Sequence, residues 1–185
     1  MISIIIPAKN EAENLDEILK CFNQKLKNVN YEVILINDFS DDETFEKAKK
    51  LFSNLHNFKI VQNKVKGLGG AINLGIEESR GEKISIMMAD MSDDLEDLVK
   101  YNEIMEKENL DAVLGSRFIK GSQIEGYPIK KLILNRIFNT FVKILFWNSY
   151  NDYTNAFKIY KKKAIIDLKP LVSESFNIFL EIPLK

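Results

Sequence analysis

Short, nearly all-apolar runs alternate with longer amphipathic stretches over the first 119 residues of the chain. Ile2–Ile6, Tyr31–Ile36, Phe58–Gln62, Lys83–Met88 and Ala112–Gly115 read as strands, and Ala12–Leu26, Asp42–Leu55, Leu68–Ser79 and Leu95–Lys107 between them as helices. Strands apolar on both faces belong to a parallel sheet covered on each side, and the intervening lengths suit right-handed crossovers. The fold class is therefore α/β: a Rossmann-like, open, mostly parallel sheet with helices on both faces. After Gly115 the alternation fails. Gly121, Gly126 and Pro128 mark a loop, and Ile133, Ile137, Phe141 and Ile144 recur at helical spacing, so Ile129–Phe146 predicts an amphipathic helix. A short strand, Ala156–Tyr160, and an apolar segment, Phe176–Leu184, follow. The chain stops at Lys185 inside that last pattern, as a C-terminally truncated chain would. Residues 1–119 are expected to form a ligand-binding α/β core, and 120–185 a basic, amphipathic segment of the same domain.

Charge sharpens that division. Residues 1–119 carry 15 Lys and Arg against 22 Asp and Glu, a net −7, while residues 120–185 carry 11 against 5, a net +6. An acidic body with a basic tail points the tail toward something anionic, phosphates or a lipid surface, although a solvated basic face has the same composition. The single cysteine, Cys21, excludes an internal disulfide framework, and no basic, apolar leader opens the chain, so a cytoplasmic setting is expected. Leu132–Trp147 falls short of the about 18 uncharged residues that a membrane span needs.

Open parallel sheets bind ligands outside the carboxyl ends of their strands. Here those ends read Pro7-Ala8-Lys9-Asn10-Glu11, Asn37-Asp38-Phe39-Ser40-Asp41-Asp42-Glu43-Thr44, Lys66-Gly67-Leu68-Gly69-Gly70, Ala89-Asp90-Met91-Ser92 and Ser116-Arg117. Each has an ordinary structural explanation, Asn10 or Asp42 as a helix cap, the glycines as turns, Arg117 as a surface residue; five on one rim strain that account. The rim suits a nucleotide diphosphate. Asp90 could hold a hard divalent cation, and Arg117 could share the charge of a leaving diphosphate. The glycine segment lacks both GxxxxGK[ST] and GxGxxG.

These motifs resemble those of inverting family-two glycosyltransferases. Pro7–Glu11 resembles their P-x-x-N-E, and Asn37–Thr44 their D-D-x-S-x-D-x-T. Gly67–Ala71, Met88–Ser92, Gly115–Phe118 and Asp152–Tyr160 are similar to the G-L-G-x-A, D-A-D-x-S, G-x-R-Y and D-x-T-x-x-F-R-x-Y of the dolichol- or polyprenyl-phosphate mannosyltransferase branch. The resemblance implies a GT-A fold and transfer of a sugar from a GDP- or UDP-linked donor to a polyprenyl phosphate or another envelope-glycan acceptor, with Mg²⁺ or Mn²⁺. It implies that Pro7, Lys9, Glu11 and Asp38 surround base and ribose, that Gly67, Ala89, Asp90 and Ser92 serve the diphosphate and metal, and that Arg117 and Lys158 hold phosphates. Three positions depart from the pattern: Met88 replaces the first acid of Asp-Ala-Asp, Lys9 replaces a residue that is often aromatic, and Lys158 replaces Arg. Asp93 could compensate for Met88, although Asp93-Asp94 with Glu96-Asp97 also suits an ordinary first helical turn.

Other assignments fit less well. A sugar-phosphate nucleotidyltransferase would carry a glycine-rich basic loop where Pro7–Glu11 stands, and a non-catalytic nucleotide-sugar-binding or scaffold protein is the alternative that Met88 encourages. His56 is expected to be a surface residue and Cys21 an apolar residue of a helix face, and no nucleic-acid partner is expected. The basic stretch from Lys120 to Lys163 and its aromatic helix suit a peripheral enzyme on the inner face of the cytoplasmic membrane, the ordinary alternative being that this helix face packs on the sheet. A lipid-phosphate acceptor, ionised near neutral pH, needs no general base; for a sugar hydroxyl the candidate base is Asp152.

Overall fold

A computed structural model describes residues 1–122 and 127–185, so Gly126 of the expected loop lies outside the described residues. The elements run β1 (Ile2–Ala8), α1 (Leu15–Lys25), β2 (Tyr31–Asn37), α2 (Thr44–Phe52), β3 (Phe58–Gln62), α3 (Leu68–Glu78), β4 (Lys83–Ile86), α4 (Leu95–Glu108) and β5 (Ala112–Leu114). They continue with α5 (Ile129–Leu145), β6 (Lys158–Lys161), α6 (Lys162–Asp167) and α7 (Ile178–Leu184). One six-stranded sheet has the order β3-β2-β1-β4-β6-β5. β1 pairs in parallel with β2 and with β4, and β2 in parallel with β3. β6 is antiparallel to both β4 and β5 and lies between them, so β5 meets the sheet only through residues of the C-terminal third.

The period-two alternation of the strands sorts the core into two layers. Ile2, Ile4 and Ile6 face Leu15, Ile18 and Phe22 of α1, Phe52 of α2 and Leu98 of α4. Ile5, Ile34, Ile36 and Ile84 face Ala71, Ile72 and Ile76 of α3 and Ile178, Phe179 and Ile182 of α7. The terminal apolar segment is thus spent on covering the sheet. At the amino edge, buried Glu32 accepts from Ser3 Oγ at 2.7 Å, Arg80 N at 2.6 Å and Arg80 Nε at 2.8 Å, bolting β1, β2 and the α3–β4 turn together.

α1 begins at Leu15, later than Ala12, because the Ala12 N–H is held by Asp42 Oδ2 at 3.3 Å and residues 12–14 form a turn. α5 stands apart from both layers. It buries only Asn139 and Val142, and leaves Ile129, Ile133, Leu134, Ile137, Phe141, Ile144 and Leu145 exposed. Trp147, just past its end, is 93% exposed with φ +50°.

Candidate active site

The chain runs β1, β2, β3 in one direction across the sheet and then returns to place β4 on the other side of β1. This reversal opens a crevice at the carboxyl ends of β1 and β4, the topological switch point at which doubly wound sheets take their ligands. Pro7–Glu11 forms one lip and Ala89–Ser92 the other. Because β6 is antiparallel, it starts at this same rim: Ile86, Lys158 and Leu114 lie side by side across β4, β6 and β5. That is how Asp152–Asn155, preceding β6, come to stand beside Arg117, following β5.

The loops after β1 and β2 are tied to each other. Asn10 N donates to Ser40 Oγ at 3.0 Å, Asp41 N to Asn10 Oδ1 at 2.8 Å, and Glu11 N to Thr44 Oγ1 at 2.8 Å. Asp42 receives Thr44 N at 3.0 Å and so restrains the first residue of α2, whereas Asn10 caps no helix. Three residues on the rim, Asn10, Phe39 and Met91, have φ of +58°, +54° and +57°. For Phe39 and Met91 this left-handed conformation costs of order 1–3 kcal/mol, and it persists only where surrounding bonds over-determine the backbone.

Asp38 is buried, and its carboxylate accepts Gly67 N at 2.9 and 3.2 Å and Asn63 Nδ2 at 2.7 Å. Asp38 and Gly67, both expected on the donor, therefore meet each other, and the Gly67 N–H is already committed. The glycines answer to the chain across from them. Gly67 has φ +117° and its Cβ would stand 2.7 Å from the Glu174 carbonyl, and a Cβ at Gly69 would stand 1.8 Å from that of Ser173. Pro7 is buried within β1 opposite Ile36, and Lys9 is exposed on the lip.

Asp90 is exposed, with Oδ1 receiving Ser92 N at 3.0 Å, beside buried Ala89. Asp93 turns back and accepts Met88 N at 3.2 Å. Burial, with the Asp90 charge adding to it against the Met88 N–H and Arg117, pushes the Asp93 carboxyl up to about 6. Burial also raises Glu11, against the Asn14 amide and with help from Asp90 and Asp42. The crevice thus gathers carboxylates, with the Asp90 charge helping to raise both Glu11 and Asp93, and their oxygens are the donors a hard divalent cation takes. Among the described residues no three His, Cys, Asp or Glu converge into a complete site. The residue types present fit such an ion: the exposed Asp90 would hold it, and substrate phosphate and water would complete its oxygen ligands. Asp94 behaves as the ordinary alternative had it, capping α4 through Glu96 N at 3.0 Å.

Arg117 and Asp152 form a two-pronged pair: Nε to Oδ2 at 2.9 Å and Nη2 to Oδ1 at 2.7 Å, with Arg117 N also on Oδ2 at 2.8 Å. Thr154 Oγ1 approaches Oδ1 at 3.3 Å. Asp152 is fully buried and its lone pairs are filled, so the general-base role expected of it for a sugar hydroxyl does not fit: no proton can be delivered to it without breaking Arg117 away. Its part is to orient Arg117. Lys158 is likewise not at the surface of the rim. It is 1% exposed, and Nζ donates to the carbonyls of Tyr153 at 3.0 Å, Phe179 at 3.3 Å and Asn155. The phosphate role expected of Lys158 therefore does not fit this placement, whose bonds hold the β6 approach onto α7.

Burial brings the Lys158 ammonium down to about 7, against the opposing charge of Asp152 and with help from Arg117. The unfolded chain keeps this proton up to about pH 10. Stability should therefore rise between pH 7 and about 10, where the unfolded state binds more protons, and the slope should flatten in Lys158→Met. Melting temperature against pH checks it. His56 is exposed and precedes β3, at the edge of the sheet opposite the rim.

Sequence reasoning missed Asn139. It is fully buried on α5, where Nδ2 donates to Thr154 Oγ1 at 2.9 Å and to Asn135 O at 2.8 Å. The available signal was a pair of asparagines one turn apart, Asn135 and Asn139, in a helix otherwise built of apolar and basic residues with one threonine.

The glycosyl transferase family 2 profile matches residues 3–169. The chain is 31% identical over 188 residues to dolichol-phosphate mannosyltransferase of Pyrococcus furiosus, covering 100% of this chain and 52% of that protein. It is 31% identical over 180 residues to dolichyl-phosphate beta-glucosyltransferase of Dictyostelium discoideum, covering 88% and 54%. The chain therefore spans about half the length of these relatives. Among solved structures, glucosyl-3-phosphoglycerate synthase of Mycobacterium tuberculosis in complex with Mn²⁺, UDP and glucosyl-3-phosphoglycerate superposes with a TM-score of 0.75 at 11% identity, over 99% of this chain and 63% of that one. S. aureus TarS 1–349 in complex with UDP gives 0.65 at 20%, over 94% and 50%. The mostly parallel six-stranded sheet is of the GT-A type.

Proposed function

The chain belongs to glycosyl transferase family 2, and from that premise we propose that it transfers a sugar from a nucleoside-diphosphate donor, GDP- or UDP-linked, to a polyprenyl phosphate. The observation that carries the proposal is the crevice at the switch point: Glu11 stands after β1, Asp90 and Asp93 after β4, and the Asp152-held guanidinium of Arg117 is near enough to act on the Asp93 carboxyl. Carboxylates for a cation beside a fixed arginine suit a group that leaves as a diphosphate. A bound Mg²⁺ or Mn²⁺ would supply Lewis-acid stabilisation of that charge. An acceptor phosphate oxygen attacks the anomeric carbon as the bond to the diphosphate breaks, and the configuration inverts. A phosphate acceptor is already ionised near neutral pH, since its second pKa is about 6. No side chain need take a proton, which agrees with the saturation of Asp152.

The acceptor implies a membrane, and α5 is the element suited to meet one on its inner face. Its exposed apolar residues are interspersed with Lys130, Lys131, Arg136 and Lys143, and Phe146 and Trp147 follow. No helix among the described residues is long and apolar enough to cross a bilayer. Cations near an anionic leaflet contribute about 1 kcal/mol each. The test is incubation with GDP- and UDP-sugars, Mg²⁺ or Mn²⁺ and a polyprenyl phosphate in anionic vesicles. Release of nucleoside diphosphate matched by glycolipid supports the proposal; donor binding without turnover across the panel overturns it in favour of a binding protein. Salt-sensitive flotation, weakened in Lys130→Glu/Lys131→Glu, is expected for the docking step.

A further inference from the structure

α5 is fastened to the body of the protein by very little apolar surface. Of the two residues it buries, one is Val142 and the other is Asn139. An amide in that place is expensive unless its polar atoms are bonded, and a leucine would anchor the helix more cheaply. Asn139 instead grips one residue twice: Nδ2 donates to Thr154 Oγ1 at 2.9 Å, and Oδ1 accepts Thr154 N at 3.4 Å. The same Thr154 Oγ1 accepts Arg117 Nη2 at 2.9 Å. The chain of bonds thus runs from the exposed helix through one hydroxyl to the Arg117–Asp152 fork. α5 supports the arginine from outside as well: Asn135 Nδ2 donates to the Tyr127 hydroxyl at 2.7 Å, and the Tyr127 ring lies 5.5 Å from the Arg117 guanidinium carbon.

We propose that Asn139 and Thr154 are positioning residues that fix Arg117 according to how α5 is seated, so that the helix offered to the lipid surface also aligns the cation that meets the phosphates. The inference deepens the proposed transfer and rests on it for its kinetic consequence. The bonding itself is independent of that reaction. Asp152 sets the direction of the fork by holding Nε and Nη2; Thr154 is a second acceptor on Nη2 and also donates to Asp152 Oδ1, and Asn139 restrains Thr154. Displacing α5 withdraws the amide, frees the hydroxyl to turn away from both Arg117 and Asp152, and leaves the planar fork held by Asp152 alone, so that it opens more often.

Two readouts on the full chain test this. In ¹⁵N NMR without ligand, the Arg117 Nε–H should exchange slowly in the wild type, and about tenfold faster or more in Thr154→Val and in Asn139→Leu, with Thr154→Ser close to wild type. With donor, metal and a short-chain isoprenyl phosphate, kcat should fall about a hundredfold in Thr154→Val, more than KM changes, as a misplaced cation predicts, with recovery in Thr154→Ser. If Thr154→Val does not fold, Asn139→Leu on the peripheral helix answers the same question. Unchanged Nε–H exchange in the folded variants, or Thr154→Ser as impaired as Thr154→Val, overturns the proposal. Absence of transfer in the wild type would overturn the proposed function, while the exchange measurement would still decide the relay.

Discussion

Asp90→Asn is expected to lose about a thousandfold in kcat and to melt with the wild-type protein. The carboxylate is exposed and makes one hydrogen bond, from Ser92 N, which an asparagine oxygen can keep. The fold therefore loses little. Stabilisation of a leaving diphosphate by a bound cation is worth several kcal/mol, and about 1.4 kcal/mol is a factor of ten. Asp93→Asn should cost less, because Asp93 stands behind Asp90 with one oxygen on Met88 N. Steady-state rates across a titration of Mg²⁺ and Mn²⁺ measure both. Wild-type turnover in Asp90→Asn would remove the cation from this lip.

Asp152→Ala should damage stability and activity together. Removing one partner of a buried ion pair costs about 3–5 kcal/mol, since the charge left behind has lost its counterpart. Here the alanine strands the Arg117 side chain and its backbone N–H at once. Asp152→Asn keeps an oxygen for one of these donors and should be milder in denaturant unfolding. A general base would behave otherwise: Asp152→Asn would leave stability and donor binding intact while turnover vanished. Urea unfolding beside donor titration separates the two outcomes.

The strands were legible because a covered parallel sheet needs residues apolar on both faces, and Phe58–Gln62 was read to its ends. The rim was legible for a related reason: polar residues and glycines collect where each apolar run stops. What local pattern does not contain is pairing between distant segments. The insertion of β6 between β4 and β5 follows from no periodicity. Lys158 could not be read as interior, because its burial depends on three carbonyls supplied by Tyr153, Asn155 and Phe179. α6, whose six residues include two of three consecutive lysines, is too short to register as a helical period. Local pattern makes Asn10 a cap and Asp38 a ligand, and both are first of all loop fasteners, because Ser40, Asp41, Asn63 and Gly67 reach them only once the sheet has formed.

The insertion of β6 also bears on how the protein is made. As the polypeptide leaves the ribosome, β5 emerges more than forty residues before β6, the strand that pairs with it among the described residues. Until Lys158–Lys161 arrive, β4 presents an open edge toward the place β6 will occupy, and Ala112–Leu114 lacks the strand it pairs with. Closing so long a loop is slow, and an uncovered edge invites pairing with another nascent chain. Arg117 and Asp152 are drawn together by that same closure, so the crevice acquires its cationic side only when the sheet is complete, and a half-synthesised chain has no assembled site with which to sequester donor.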